Sequence, residues 1–201
     1  MTVNDIVTQL KYGELRSIAA KDDLPAIVSY INLAMIALYG RFKIVRSTQT
    51  IPIVDGTYTY TLDPSLLAIE TIRNSTTELA INDESDLTSI LTPSYDTIQI
   101  PTDSTDISLD VLYVANPTTI LIDATDSVTL AQTLRLPTQL IEPLLHYIGY
   151  RAHASMNGDI KAENNTHYMR YEASCKRIIA AGLVRIDTVP AAVSTQEPIT
   201  N

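Results

Sequence analysis

The chain has 201 residues, of which 45% are hydrophobic and 18% charged, with a net charge of −9 and a sequence pI near 4.7. Such a chain suits one large domain or two intimate ones, and its acidity excludes general wrapping of nucleic acid, which needs clustered Lys and Arg to neutralise phosphates. A single cysteine, Cys175, excludes an internal disulfide and fits a reducing compartment, and the longest apolar run, Leu33 to Tyr39, is far short of the ~20 residues that cross a bilayer.

The N-terminus, MTVNDIVTQL, lacks the basic start and apolar stretch of a secretory signal, so synthesis in the cytoplasm is expected. Thr2 is placed to cap a first helix, with Asp5 in the acidic position of a capping box. Val3, Ile6, Val7 and Leu10 keep helical spacing as far as Gly13, and Leu15, Ile18 and Ala19 extend the pattern. Lys21-Asp22-Asp23 is a break and a cap, and Pro25 suits the first turn of a second helix. Ile27, Val28, Ile31, Ala34, Met35 and Leu38 form its apolar stripe, and Gly40 is expected to end it.

From Ile44 the period changes from helical to alternating. Strands are predicted around Thr48 and Thr50 and around Tyr58 and Tyr60, joined as a hairpin by Asp55-Gly56. Further strands are predicted at Ala68 to Arg73, Thr77 to Ile81, Thr97 to Pro101 and Ile107 to Val114, then at Ile120 to Ile122 and Val128 to Leu136. Between Ser47 and Leu134 thirteen carboxylates face one basic residue, Arg73, so this block holds a net −12 while the helical flanks are close to neutral. Charge segregated by structural type points to an interface or a channel rather than a pocket. The pairs Asp83/Asp86, Asp103/Asp106 and Asp123/Asp126 lack the ligand ladder of a calcium loop and read as turn residues.

Leu136-Pro137-Thr138 returns the chain to helix, with Leu140, Ile141, Leu144, Leu145, Ile148 and Ala152 at helical spacing and Pro143 in the first turn. After Asn157-Gly158 a last helix carries Tyr168, Tyr171, Cys175, Ile178 and Ile179. His146 and His153 lie two turns apart with Tyr150 between them and Glu142 one turn earlier. A zinc site needs three or four ligands, no second cluster is visible, and His167 reads as isolated; helix packing or a subunit contact is the expectation. Cys175 reads as a small core residue. No catalytic, metal-ligating or cofactor-binding set emerges, so no enzymatic activity and no cofactor are expected.

The elements in this order resemble a known family. Ile31-Asn32-Leu33-Ala34 followed by Leu38-Tyr39-Gly40-Arg41-Phe42 is one shared pattern; Ile51-Pro52-Ile53-Val54-Asp55-Gly56-Thr57-Tyr58-Thr59-Tyr60-Thr61-Leu62, then Asp63-Pro64, is a second. Leu136-Pro137 with Leu145-His146-Tyr147-Ile148, and Ala162 with His167-Tyr168 and Tyr171, complete it. The chain resembles the head-to-tail adaptor (connector) proteins of tailed bacteriophages, especially short-tailed ones, apart from the missing tryptophan early in the second helix and the unmatched stretch Ala124 to Ala131.

The resemblance implies a structural virion protein of the head-tail junction, made in the host cytoplasm. It implies a homo-oligomeric ring, twelve-fold, between the phage portal protein and a downstream tail or nozzle protein. Double-stranded DNA would pass through without sequence-specific binding, and no membrane is involved. The fold class is α+β: about four helices from both chain ends (1–43 and 136–183) as a bundle, an inserted antiparallel β-sandwich or barrel-like domain (44–135), and an extended C-terminal arm (184–201). Asp83, Glu84, Asp86, Asp103 and Asp106 are the candidate DNA-repelling lumen residues. Asp55, Gly56, Val189, Pro190, Val193, Pro198 and Ile199 are the candidate interface residues. A tail-terminator or tube component is the alternative within this class. A β-sandwich binding module is the alternative outside it, disfavoured by the absence of Trp.

Overall fold

The computed structural model describes residues 1–75, 77–101, 108–157 and 166–183. Helix α1 (Val3–Tyr12) starts on the expected capping box: the Asp5 N–H donates to Thr2 Oγ1 and the Thr2 N–H donates to Asp5 Oδ2 at 2.8 Å. It stops at Gly13 rather than running on through Ile18, because Leu15 turns back and donates its N–H to the Leu10 carbonyl at 2.9 Å. Helix α2 (Leu24–Phe42) starts on Asp23, which accepts from the Ala26 N–H at 3.0 Å, with Pro25 in its first turn. It does not end at Gly40. Phe42 still has core to fill, and the helix closes only at Lys43, in the left-handed region with φ 48°.

Among the described residues seven strands follow: β1 (Arg46–Pro52), β2 (Thr59–Thr61), β3 (Leu66–Asn74), β4 (Thr77–Leu79), β5 (Leu91–Ser94), β6 (Thr97–Gln99) and β7 (Ser108–Ala115). They form two open antiparallel sheets, one ordered β1-β7-β3-β4 and the other β2-β6-β5. Leu109, Val111 and Tyr113 alternate inward from β7 and meet Ile72 of β3 and Ile98 of β6, so the sheets share one core.

β1 and β2 do not form the expected hairpin, because they belong to different sheets. Tyr60 supplies the reason. Its hydroxyl accepts from the Val54 N–H at 2.9 Å and donates to the Thr57 carbonyl at 2.9 Å, so a side chain takes the backbone groups a ladder would use. Pro52, which has no N–H to offer, ends β1 just before.

After β7 the chain was expected to stay in the β domain to residue 135, with strands at Ile120–Ile122 and Val128–Leu136. Instead residues 128–131 lie in the short helix α3 (Asp126–Ala131), and Ile120 and Leu134 bury in the helical core. The 120–122 stretch is extended but pairs with side chains. The Asn32 amide donates to the Ile120 carbonyl at 3.0 Å and accepts its N–H at 2.8 Å, and Gln132 does the same for Leu121 at 2.5 and 3.0 Å.

Helices α4 (Ile141–Asn157) and α5 (Thr166–Ala180) close the fold. Ile31 and Met35 of α2 share one buried cluster with Leu144 and Ile148 of α4, alongside α1 residues Val3, Ile6 and Leu10 and α5 residues Tyr171 and Cys175. The helical core is therefore built from both ends of the sequence. By length and composition α2 would also suit a membrane, but its Ile27–Phe42 stripe is what this core buries.

Candidate functional site

Where α2 passes into β1, the side chain of Glu70 on β3 is only 8% exposed. Its carboxylate pairs with Lys43 Nζ at 2.8 Å and with Arg46 Nε at 2.6 Å, and it accepts from Arg46 Nη2 at 3.2 Å. Burial opposes ionisation of this carboxyl, yet the hydrogen bonds and charges of Lys43 and Arg46 overcome it and hold the group below the usual glutamate range. A built Cβ on Gly40 would lie 3.5 Å from Leu67 Cδ2, so α2 and the start of β3 are in contact at the same place. This joint ties the two cores.

At the far edge of the β part the acidic residues bond to near neighbours in the chain. Asp83 Oδ1 accepts from the Ser85 N–H at 2.9 Å and from its hydroxyl at 2.6 Å; Asp86 Oδ1 accepts from Thr88 in the same way, at 2.8 and 2.6 Å. These carboxylates build the turns of the 82–89 loop. The Ser85 hydroxyl, then its N–H, hold the Asp83 carboxyl below the usual aspartate range, and the Ser94 hydroxyl does so for Asp96. Asp83, Glu84 and Asp86 line a cleft of about 400 Å³ together with Leu87, Leu91 and Ile100. Leu87 is 94% exposed, so an apolar tip stands among the charges. Asp103 and Asp106 lie outside the described residues.

Asp55 and Gly56 occupy an exposed turn in which the Thr57 N–H donates to the Val54 carbonyl at 2.9 Å. Gly56 has φ 77°, and nothing lies within 4 Å of where a Cβ would stand. Gly56→Ala therefore suffers backbone strain without a clash and is expected to cost about 1 kcal/mol, read from urea unfolding; an unchanged midpoint would contradict the left-handed assignment. The other candidate interface residues, Val189, Pro190, Val193, Pro198 and Ile199, lie outside the described residues.

The structure joins what the sequence left scattered. Glu14, in the connection after α1, receives two histidines on one carboxylate: His146 Nδ1 of α4 at 2.9 Å and His167 Nδ1 of α5 at 2.6 Å. His153 Nε2 of α4 donates to the Glu14 backbone carbonyl at 3.1 Å and its ring stacks on His167, with centroids 4.5 Å apart. All three histidines of the chain thus converge on one residue more than 130 positions away from each. The available sequence signal was Gly149 in mid-helix: a Cβ there would lie 2.9 Å from His167 Nδ1 and 3.2 Å from Glu14 Cβ. Among the described residues no group of His, Cys, Asp and Glu is arranged to hold a metal ion.

Beside this cluster, Arg41 of α2 forks onto Glu172 of α5 at 2.6 and 3.0 Å and lies 5.5 Å from the Tyr171 ring centroid. Tyr147, Tyr150, Tyr168 and Tyr171 pack edge-on or tilted between α4 and α5. Much of the tyrosine excess is therefore spent inside the helical part. Burial pushes the Cys175 thiol up to about 11, which suits a core residue and not a nucleophile.

Comparison with known proteins adds three findings. The family model described as SU10 adaptor protein matches residues 1–194. No curated protein matches the chain. Among solved structures, a chain described as "Neck of empty GTA particle computed with C6 symmetry" is 14% identical, covering 84% of this chain and 87% of that chain at a TM-score of 0.30.

Proposed function

The chain belongs to the SU10 adaptor protein family and is a structural connector of the bacteriophage head-tail junction; from that premise we propose that its copies close into a ring through which DNA leaves the capsid. The observation that carries this reading is the family match over residues 1–194. The ring has twelve subunits, docks on the portal protein on one side and receives a tail or nozzle protein on the other. It is made in the host cytoplasm, catalyses no reaction and inserts into no membrane.

The chemistry of the β part supports a conduit. Each phosphate–cation pair formed with passing DNA displaces counterions and adds affinity, and affinity would retard passage. A lumen or rim carrying Asp83, Glu84 and Asp86, with Asp103 and Asp106 near them in sequence, repels the backbone instead. The Ser85 hydroxyl and N–H hold the Asp83 carboxyl below the usual aspartate range, so that residue keeps its charge in mild acid.

Electron microscopy and mass measurement of the protein, alone and mixed with its portal, test the reading. Closed rings are expected; a strictly monomeric protein that ignores portal and tail components would overturn it. Truncation after Arg185 tests the proposed arm. The shortened chain is expected to keep its unfolding midpoint, since the segment DTVPAAVSTQEPITN has two prolines, small residues and little to bury. It is expected to dock on the portal at least about tenfold more weakly, as loss of an extended segment laid on a partner implies. Equal docking of the two chains would remove the arm from the interface.

A further inference from the structure

We propose that Glu14 and the three histidines around it form a proton-operated clasp, which holds the 13–18 connection against the α4–α5 pair at neutral pH and releases it in mild acid. The clasp is closed by direct bonds from three elements. Glu14 lies on the connection, its side chain 16% exposed, and its two carboxylate oxygens are taken by His146 Nδ1 of α4 and His167 Nδ1 of α5. Its backbone carbonyl is taken by His153 Nε2. A carboxylate and a carbonyl only accept, so His146 Nδ1 and His153 Nε2 each carry their hydrogen, while His167 Nδ1 lies against Glu14 Oε2.

Added protons have uneven homes. The free nitrogen of His146, Nε2, faces Glu142 Oε1 at 3.7 Å, and Glu142 in turn is held by Arg177 of α5. His153 and His167 are stacked face to face, and charge on both rings sets like charges 4.5 Å apart in a half-buried place. Arg170 of α5 adds a further positive charge near His167. Burial is the largest effect on His167 and lowers its affinity for a proton, with His153 and Arg170 acting in the same sense and Glu14 against them. A histidine whose closed-state value is depressed contributes its full stability above the ordinary value of about 6.5, and the contribution is lost as pH falls below it. Acid therefore opens the clasp. Gly149 is what permits it, since any side chain there would occupy the space of the His167 ring and Glu14.

The test is amide exchange on the full-length chain at pH 7.5 and 5.5, expressed as protection factors so that intrinsic rates cancel. Opening at Leu15 and Ile18, whose amides bond to the Leu10 and Leu15 carbonyls, is expected to rise at least about fivefold at the lower pH while the β7 amides stay unchanged. In His167→Gln, which keeps a donor toward Glu14 and cannot titrate, the rise is expected to stay below about twofold. Equal protection of the wild type at both pH values, or the same rise in His167→Gln, overturns the clasp. A second reading needs no variant: NMR titration of the wild-type rings should show the His167 midpoint coinciding with the change at Leu15. Ring protonation without that change also overturns it.

Discussion

Glu70→Ala is expected to destabilise the protein by about 3 kcal/mol at neutral pH, because it leaves Lys43 and Arg46 facing one another without their carboxylate. Removing one partner of a buried ionic cluster costs about 3–5 kcal/mol. The lower end applies here because the Lys43 and Arg46 side chains keep 35% and 22% of their surface and can turn partly to water. Lys43 also closes α2 in the left-handed region, so the lost anchor releases a residue that already holds an unfavourable backbone conformation. The pH dependence has a definite sign. The carboxyl is held below its usual value in the fold, so its contribution is present above the unfolded value of about 4.3 and lost as pH falls through the folded one. Glu70→Gln should therefore differ most from wild type near pH 7 and converge on it below about pH 4. Urea unfolding at both pH values reads this; a loss below about 1 kcal/mol at pH 7, or a gap that widens in acid, would contradict the ionic joint.

What the sequence made legible and what it hid divide by the distance over which backbone groups find their partners. The Thr2–Asp5 box, the Asp23 cap and the Ile27-to-Leu38 stripe are satisfied within a few residues, and each stands where periodicity and capping put it. The acidic turns are equally local: Asp83 with Ser85 and Asp86 with Thr88 are bonded two residues apart, as turn chemistry requires. The Asp55-Gly56 turn was legible as a turn but not as a connection between sheets, since Tyr60 diverts the groups a hairpin would pair. Residues 120–122 have the apolar, β-branched look of a strand. Their partners are the amides of Asn32, 88 positions away, and Gln132, and no periodicity records that. The Glu14 cluster was hidden for the same reason, its members being brought together by helix packing alone. Charge segregation, by contrast, needs no pairing to be seen, and it points to an interface or a channel rather than a pocket.

Phe42→Ala is expected to lower stability by about 3–5 kcal/mol, the cost of emptying a fully buried aromatic site that rigid neighbours cannot refill. Phe42 is the only phenylalanine in the chain and stands on the last turn of α2, one residue before the Lys43–Glu70 pair. Ile44 and Leu67, from either side of the passage to the sheets, pack against the cluster that contains it. It thus belongs to the helical core while its backbone leads into the β core. If the joint couples the two, the loss spreads to both. Helical circular dichroism and the exchange of β7 amides should then report one shared transition, shifted down by about 8–15 °C for a chain of this size. A helical transition that moves while β7 keeps its wild-type midpoint would mean that the cores unfold separately. Coincident transitions in Phe42→Ala that come apart in Glu70→Ala would assign the coupling to the Lys43–Glu70–Arg46 cluster rather than to apolar packing, since the first change leaves that cluster in place and the second removes its only carboxylate.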